Sequence, residues 1–251
     1  MPSTAKARSK STARSKSARR VSGSRGGRIR RFLLRALGLL LLVTAAFWIL
    51  CCCGLVLLKW INPITTSVQL QRRIEALLAH RPYHKQFDFV PLYRISPNLQ
   101  HAAIAAEDAR FYQHHGIDWQ AVDTVVHDSL EEGEVTRGAS TITQQLVKNL
   151  FVTTWRNPLR KALEMSLAPI ADRVLGKQRT LELYLNVIEW GPGIYGAQAA
   201  SEFYYHVPAA NLTRDEAARL AAIIPRPLRR KPARMNSYSE TILTRMRQMN
   251  W

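Results

Sequence analysis

The chain has 251 residues, with 36 Lys and Arg against 18 Asp and Glu, a formal charge of +18 and three cysteines. That length admits one ordinary domain with appendages, and so few cysteines exclude a disulfide-stapled scaffold. The charge argues for an anionic partner only if it is spread over the fold, and it is not. Twelve of the cations and no acid fall in Met1–Arg35, which leaves the remainder with only +6.

Residues 1–35 are otherwise rich in Ser, Ala, Gly and Thr. Such a stretch buries too little apolar surface to offset the entropy of ordering and reads as a disordered basic tail. Taken alone it fits nucleic acid, anionic lipid heads or a topology signal; the next segment favours the last. Residues 36–58, "ALGLLLLVTAAFWILCCCGLVLL", are 23 positions without a charge. At about 1.5 Å per residue they cross a bilayer core of about 30 Å. No polar face and no A-x-A-like cleavage site accompany them, so the segment reads as an uncleaved signal anchor. The positive excess before it places the N-terminus in the cytoplasm and everything from Trp60 outside. Cys51, Cys52 and Cys53 lie inside this span as small apolar, lipid-facing side chains, so the domain at 59–251 has no cysteine.

That domain reads as all-α. "ITTSVQLQRRIEALLAHR" predicts a helix over 64–81, and "KQFDFVPLYRIS" is the one plausible extended piece. "SPNLQHAAIAAEDARFYQHHG" predicts a helix from the cap Ser96 to Gly116. On that helix Ile104, Glu107 and Phe111 share a face, so Glu107 sits in an apolar stripe where desolvation raises its pKa, as suits a general acid or base. Asp108, His114 and His115 stand close by, but their spacing matches no familiar metal motif; the histidines are expected to satisfy helix-terminal carbonyls.

"DWQAVDTVVHDSLEEG" predicts the next helix, and "RGASTITQQLVKNLF" another, with a capping box from Thr141 to Gln144. The free N–H groups at its start suit an anion, and Gln145, Lys148 and Asn149 fall on one polar edge. "NPLRKALEMSLAPIADRVLG" is expected to pack through Leu159, Leu163, Leu167 and Ile170. Its Arg160 and Lys161 flank Glu164, and Arg156 is near. Cations combined with helix N–H groups are what a diphosphate needs. "KQRTLELYLNVIEW", "TRDEAARLAAII" with a second capping box from Thr213 to Glu216, and "SYSETILTRMRQMN" complete the helices.

Four motifs occur in order: "EDARFYQHHG", "GASTITQQLVKN", "RKALE" and "KQRTLELYLN". In this the chain resembles the peptidoglycan glycosyltransferases over about residues 60–250, specifically the monofunctional biosynthetic transglycosylases, which lack the transpeptidase domain of the bifunctional penicillin-binding proteins. "EWGPGIYGAQAAS" fits that subgroup; Thr180 stands for the family's usual isoleucine, and "PRP" at 225–227 for its usual P-N-P. The resemblance implies a lysozyme-like α-helical fold with a smaller apolar lobe near the membrane. It implies lipid II and the growing glycan strand as substrates, at the bacterial inner membrane. Catalysis falls to Glu107 as base and to Glu164, which orients the cations or holds a metal. Substrate binding falls to Ser140, Gln145, Lys148, Asn149, Arg156, Arg160 and Lys161, with Asp108, Phe111, His114 and Gly116 in support. No cofactor is obligatory, a divalent cation (Mg or Mn) is admitted as an aid, other cell-wall synthesis or division proteins are expected partners, and nucleic acid is not. A membrane-anchored glycan-cleaving enzyme, which needs no diphosphate cradle, and a non-catalytic scaffold of the cell-wall machinery are the rival readings.

Overall fold

The computed structural model describes residues 25–132, 139–155 and 157–251. Most of the basic tail, the segment 133–138 and Arg156 lie outside the described residues. The chain divides into two units, Met1–Ala46 and Phe47–Trp251.

Helix α1 runs from Arg25 to Leu58, and within Gly27–Leu58, long and apolar enough to cross a membrane, an 18-residue stretch has a mean hydropathy of 2.6. This is consistent with a single-pass anchor. The helix starts eleven residues before the apolar run, because Arg and Leu are good helix formers and no proline interrupts them. Its last three turns belong to the second unit. There Cys51 and Leu55 are buried, Trp48 Nε1 donates to Ser166 Oγ at 3.2 Å, and a Cβ on Gly54 would stand 3.0 Å from the Phe151 ring. Of the three cysteines only Cys53 is exposed; Cys51 faces protein, a correction to the lipid-facing expectation that follows from the helical rotation of about 100° per residue.

The expected all-α class holds. Helix α2 (Ser67–Leu78) is capped by Thr66, and α3 (Pro97–Glu107) starts at the predicted Ser96 cap. Then come α4 (Trp119–Glu132) and α5 (Ile142–Phe151), the latter with the predicted Thr141–Gln144 capping box. Helix α6 (Pro158–Val187) carries a kink at Gly176, where φ is 71°. Helix α8 (Arg214–Ile223) opens with the predicted Thr213–Glu216 box, and α9 (Asn236–Gln248) closes the fold.

Two helical assemblies form the core. Helix α5 lies along α6, while α3 packs on α8 and α9. The second contact is alanine-rich, with Ala102, Ala103 and Ala105 on α3 and Ala217, Ala218, Ala221 and Ala222 on α8 all buried. Small side chains set a short interaxial distance, which gives the end of α3 a firm seat.

Two expectations fail and a third is met in part. Helix α3 stops at Glu107 rather than Gly116, because Asp108 leaves helical geometry (φ −158°, ψ 70°) and turns follow. Glu107 and Phe111 therefore share no helix face. Leu159 is 79% exposed, and the inner face of α6 runs instead through Glu164, Leu167, Ala168, Ala171 and Leu175. The extended segment pairs, as β1 (Gln86–Phe87), with a short hairpin of β2 (Glu189–Gly191) and β3 (Ile194–Tyr195) in the order β1-β3-β2. Helix α7 (Ala197–Tyr205) follows it. These two- and three-residue strands are too short to show an alternation in sequence.

Gly116 sets the turn after α3. Its φ is +88°, and a Cβ there would lie 2.5 Å from the Ala168 carbonyl oxygen on α6. We expect Gly116→Ala to destabilise the protein by about 3 kcal/mol or more. Gly176→Ala, in an essentially glycine-only conformation (φ 71°, ψ 168°) but with nothing within 4 Å of the new Cβ, should cost less, about 1–3 kcal/mol. Thermal melts of the two variants in detergent would check the ranking.

Candidate active site

The turn from Glu107 to Gly116 and the start of α5 meet through Asp108. Its buried carboxylate accepts from the Ile142 N–H at 2.9 Å and from His114 Nε2 at 2.9 and 3.0 Å. It lies at the N-terminal end of α5, where backbone donors and the helix dipole favour an anion. His114 thus binds a carboxylate through its ring and not, as expected, the terminal carbonyls. Lys177 holds the turn from the other side: its Nζ donates to the His114 carbonyl at 2.6 Å and to Asp172 Oδ1 at 2.6 Å, 4.8 Å over the buried Phe111 ring. Gly116 O accepts from Thr141 Oγ1 at 2.6 Å, so the residue that caps α5 also holds the turn.

Glu107 is treated differently. It is the last residue of α3, the end of a helix where an anion is disfavoured. One of its oxygens accepts from Gln145 Nε2 at 2.7 Å, and the Tyr184 hydroxyl donates to Gln145 Oε1 at 3.1 Å, which orients the amide toward the acid. Burial pushes the Glu107 carboxyl above the usual carboxylate range. The Gln145 hydrogen bond and the charges of Lys148 and Arg230 oppose that rise, and neighbouring Asp108 adds to it. Two adjacent acids are thus set apart, one fully supplied with donors and one kept basic.

The cations stand along α5 and the first turns of α6. Arg160 pairs with Glu164, which is 3% exposed. Lys161 Nζ lies 3.7 Å from Glu164 Oε2 and donates to Ser140 Oγ at 2.9 Å and Gln144 Oε1 at 3.1 Å. Burial lowers the Lys148 pKa, opposed first by Glu164, whose charge raises it. Lys161 is lowered by burial as well. Lys148 feels both Glu107 and the Arg160–Lys161–Glu164 group, so it links the acid to the cation cluster. Asn149 uses its amide on the Gln145 carbonyl, Nδ2 to O 2.8 Å, and still reaches the cavity wall.

Two cavities flank the Glu107–Gln145 pair. One of about 180 Å³ is lined by Glu107, Asp108, Asp118, Ser140 and Thr141. The other, about 200 Å³, is lined by Gln145, Lys148, Asn149, Arg72 and Glu189. Arg72 holds Glu189 through Nε at 3.2 Å and Nη2 at 3.1 Å, joining α2 to β2 across 117 residues. Glu107, Asp108 and Ser140 thus line one cavity and Gln145, Lys148 and Asn149 the other, and the Glu107–Gln145 hydrogen bond joins the two walls. Arg160, Lys161 and Glu164 form a paired group tied to the first cavity by the Lys161–Ser140 contact; Phe111, His114 and Gly116 support the turn. Arg156 lies outside the described residues. Among the described residues no three His, Cys, Asp or Glu side chains converge as metal ligands.

Sequence reasoning missed Gln144, Lys177 and Tyr184 as parts of this arrangement. All three stand inside the quoted motifs, which was the available signal. For Arg72 and Glu189 no local pattern marks the pairing.

A family profile described as Transglycosylase matches residues 73–249. The chain is 43% identical over 169 residues to a biosynthetic peptidoglycan transglycosylase of Laribacter hongkongensis, covering 67% of this chain and 74% of that one. It is 43% identical over 193 residues to a protein of the same description from Shewanella amazonensis, covering 75% and 78%. A third such protein, from Methylobacillus flagellatus, is 41% identical over 194 residues, covering 76% and 82%.

A carboxyl whose folded pKa is raised binds more protons folded than unfolded between its two pKa values, so stability falls as pH rises through that window. Glu107→Gln keeps the shape and removes the charge. We expect the variant to melt above the wild type at neutral pH, with the gap closing below the ordinary carboxylate range. Asp108→Asn should do the opposite at neutral pH, losing about 1–3 kcal/mol because the Ile142 N–H and His114 lose a charged acceptor. Thermal melts across pH would show both signs.

Proposed function

Since the chain belongs to the transglycosylase family, we propose that it is the glycosyltransferase that polymerises lipid II into glycan strands in bacterial cell-wall synthesis. The observation that carries this reading is a half-buried carboxylate, Glu107, bonded to Gln145 and lining one cavity with Ser140, which accepts from Lys161 of the cation group. A glycan hydrolase has a use for the acid but none for the cations.

In this reading Glu107 takes the proton from the 4-hydroxyl of an incoming lipid II sugar. That oxygen attacks C1 of the lipid-linked end of the growing strand, the C1–O bond to the diphosphate breaks, and the α linkage becomes β in one displacement. Undecaprenyl diphosphate leaves with the bonding electrons. Lys148, Arg160 and Lys161 neutralise the charge that gathers on it, in a partly buried site where such charges act strongly. Gln145, held by Tyr184, keeps Glu107 aimed and partly ionised. Ser140 fixes Lys161, and Glu164 orders Arg160 and Lys161. No cofactor is required by this scheme. A Mg or Mn ion would be held at Glu164 and would supply further neutralisation of the diphosphate. The tail's positive charge places the N-terminus in the cytoplasm and the catalytic unit on the outer face of the inner membrane, where other cell-wall synthesis or division proteins are its expected neighbours.

Full-length protein in detergent should convert labelled lipid II to polymer, and Glu107→Gln should abolish this while remaining folded. Lys161→Met should lower kcat/KM by about a hundredfold. Equal turnover by Glu107→Gln and wild type would remove Glu107 from its role. The raised Glu107 pKa places the acid limb of the kcat/KM profile above the ordinary carboxylate range. Gln145→Leu, which deletes the donor that favours the charged form, should move that limb further up, as pH–rate profiles would show.

A further inference from the structure

One cation of α6 has no part in the cleft. The Arg179 guanidinium is spent on the end of the membrane helix: Nε donates to the Leu58 carbonyl at 2.9 Å, and Nη2 donates to the Ile61 carbonyl at 3.0 Å and to Asn62 Oδ1 at 2.8 Å. Nη1 pairs with Glu182, whose other oxygen accepts from the Leu92 N–H at 2.8 Å. The guanidinium also stands 5.7 Å over the Phe89 ring. Leu58 is the last residue of α1, so Arg179 satisfies a carbonyl that the helix end leaves without a partner, meets the negative end of its dipole, and binds the loop that follows through Ile61 and Asn62. Only a planar, many-donor cation bridges so many acceptors at once. Lys59 and Trp60 beside this point are exposed and suited to the headgroup region.

We propose that Arg179 is a positioning residue that, by clamping the end of α1 to α6 beyond the packing of Trp48, Cys51 and Leu55, fixes the height of the cleft over the bilayer. Arg179 lies past the Gly176 kink of α6, in the same turns as Lys177 and Tyr184, and these reach the His114 carbonyl and Gln145, so clamping this half of α6 sets the level of the Glu107–Gln145 pair. A substrate held in the membrane presents its diphosphate at one depth. A domain on a loose tether samples many heights and is seldom at the right one; a clamped domain has that entropy removed in advance. This inference rests on the lipid-linked substrate of the proposed function.

The test compares full-length wild type, Arg179→Ala and Arg179→Lys on two substrates: long-chain lipid II in liposomes, and a short-chain, water-soluble lipid II analogue in detergent. Arg179→Ala should lose about tenfold in kcat/KM on the first and stay within about twofold of wild type on the second. Arg179→Lys should restore little, since an ammonium cannot bridge the same acceptors. Hydrogen exchange in the liposomes should quicken over 57–66 in Arg179→Ala and not over 97–107. Equal losses on both substrates, or none on either, would overturn the clamp, as would unchanged exchange at 57–66. Glu107→Gln runs alongside: turnover there, or an inert wild type on both substrates, sinks the glycosyltransferase reading instead, and the exchange data then judge the clamp alone.

Discussion

The cleft depends on two adjacent carboxylates being given unequal surroundings. Asp108 receives the first N–H of α5 and the His114 ring, at the helix end that favours anions. Glu107 receives one amide hydrogen bond, at the helix end that does not. The inequality is built into the backbone, because the chain leaves helical geometry between the two residues. The same Asp108 contacts tie the end of α3 to the start of α5, which brings Gln145 to Glu107. Stability and the proposed proton transfer therefore draw on one set of hydrogen bonds.

Helix α6 supplies the other half of the site. Its first turns hold the cations around Glu164; past the kink, Lys177 secures the turn after Glu107 and Tyr184 orients Gln145. Burial lowers the pKa of Lys148 and Lys161 while nearby Glu164 counteracts it. An arriving anion would take over that counteracting part, so the cluster gains by binding what a solvated lysine face would bind weakly.

Much of this was legible beforehand. The capping boxes at Thr141 and Thr213 and the Ser96 cap are local chemistry, and the sequence placed all three correctly. The long apolar helix α1 announced itself by uninterrupted apolar length, although its start did not, since arginines before an apolar run extend a helix as readily as they form a tail. The end of α3 was misjudged because an alanine-rich run gives no hint that the next carboxylate will bond to a helix 34 residues later. Leu159 was placed inside by periodicity alone, whereas the buried stripe follows Glu164 and small alanines that a hydrophobicity pattern passes over. Arg72 and Glu189 were invisible because their pairing is purely tertiary.

Gly176 sets a limit on how α6 can vary. With φ at 71° inside an otherwise continuous helix, it resets the angular phase between the turns bearing Arg160, Lys161 and Glu164 and those bearing Lys177 and Tyr184. The space around it is open, so the position constrains backbone shape more than side-chain size. A one-residue deletion or insertion on either side would instead turn one half by about 100° against the other. It would swing Tyr184 off Gln145 while leaving every local helix preference intact. Along this helix, length is a stricter inheritance than composition.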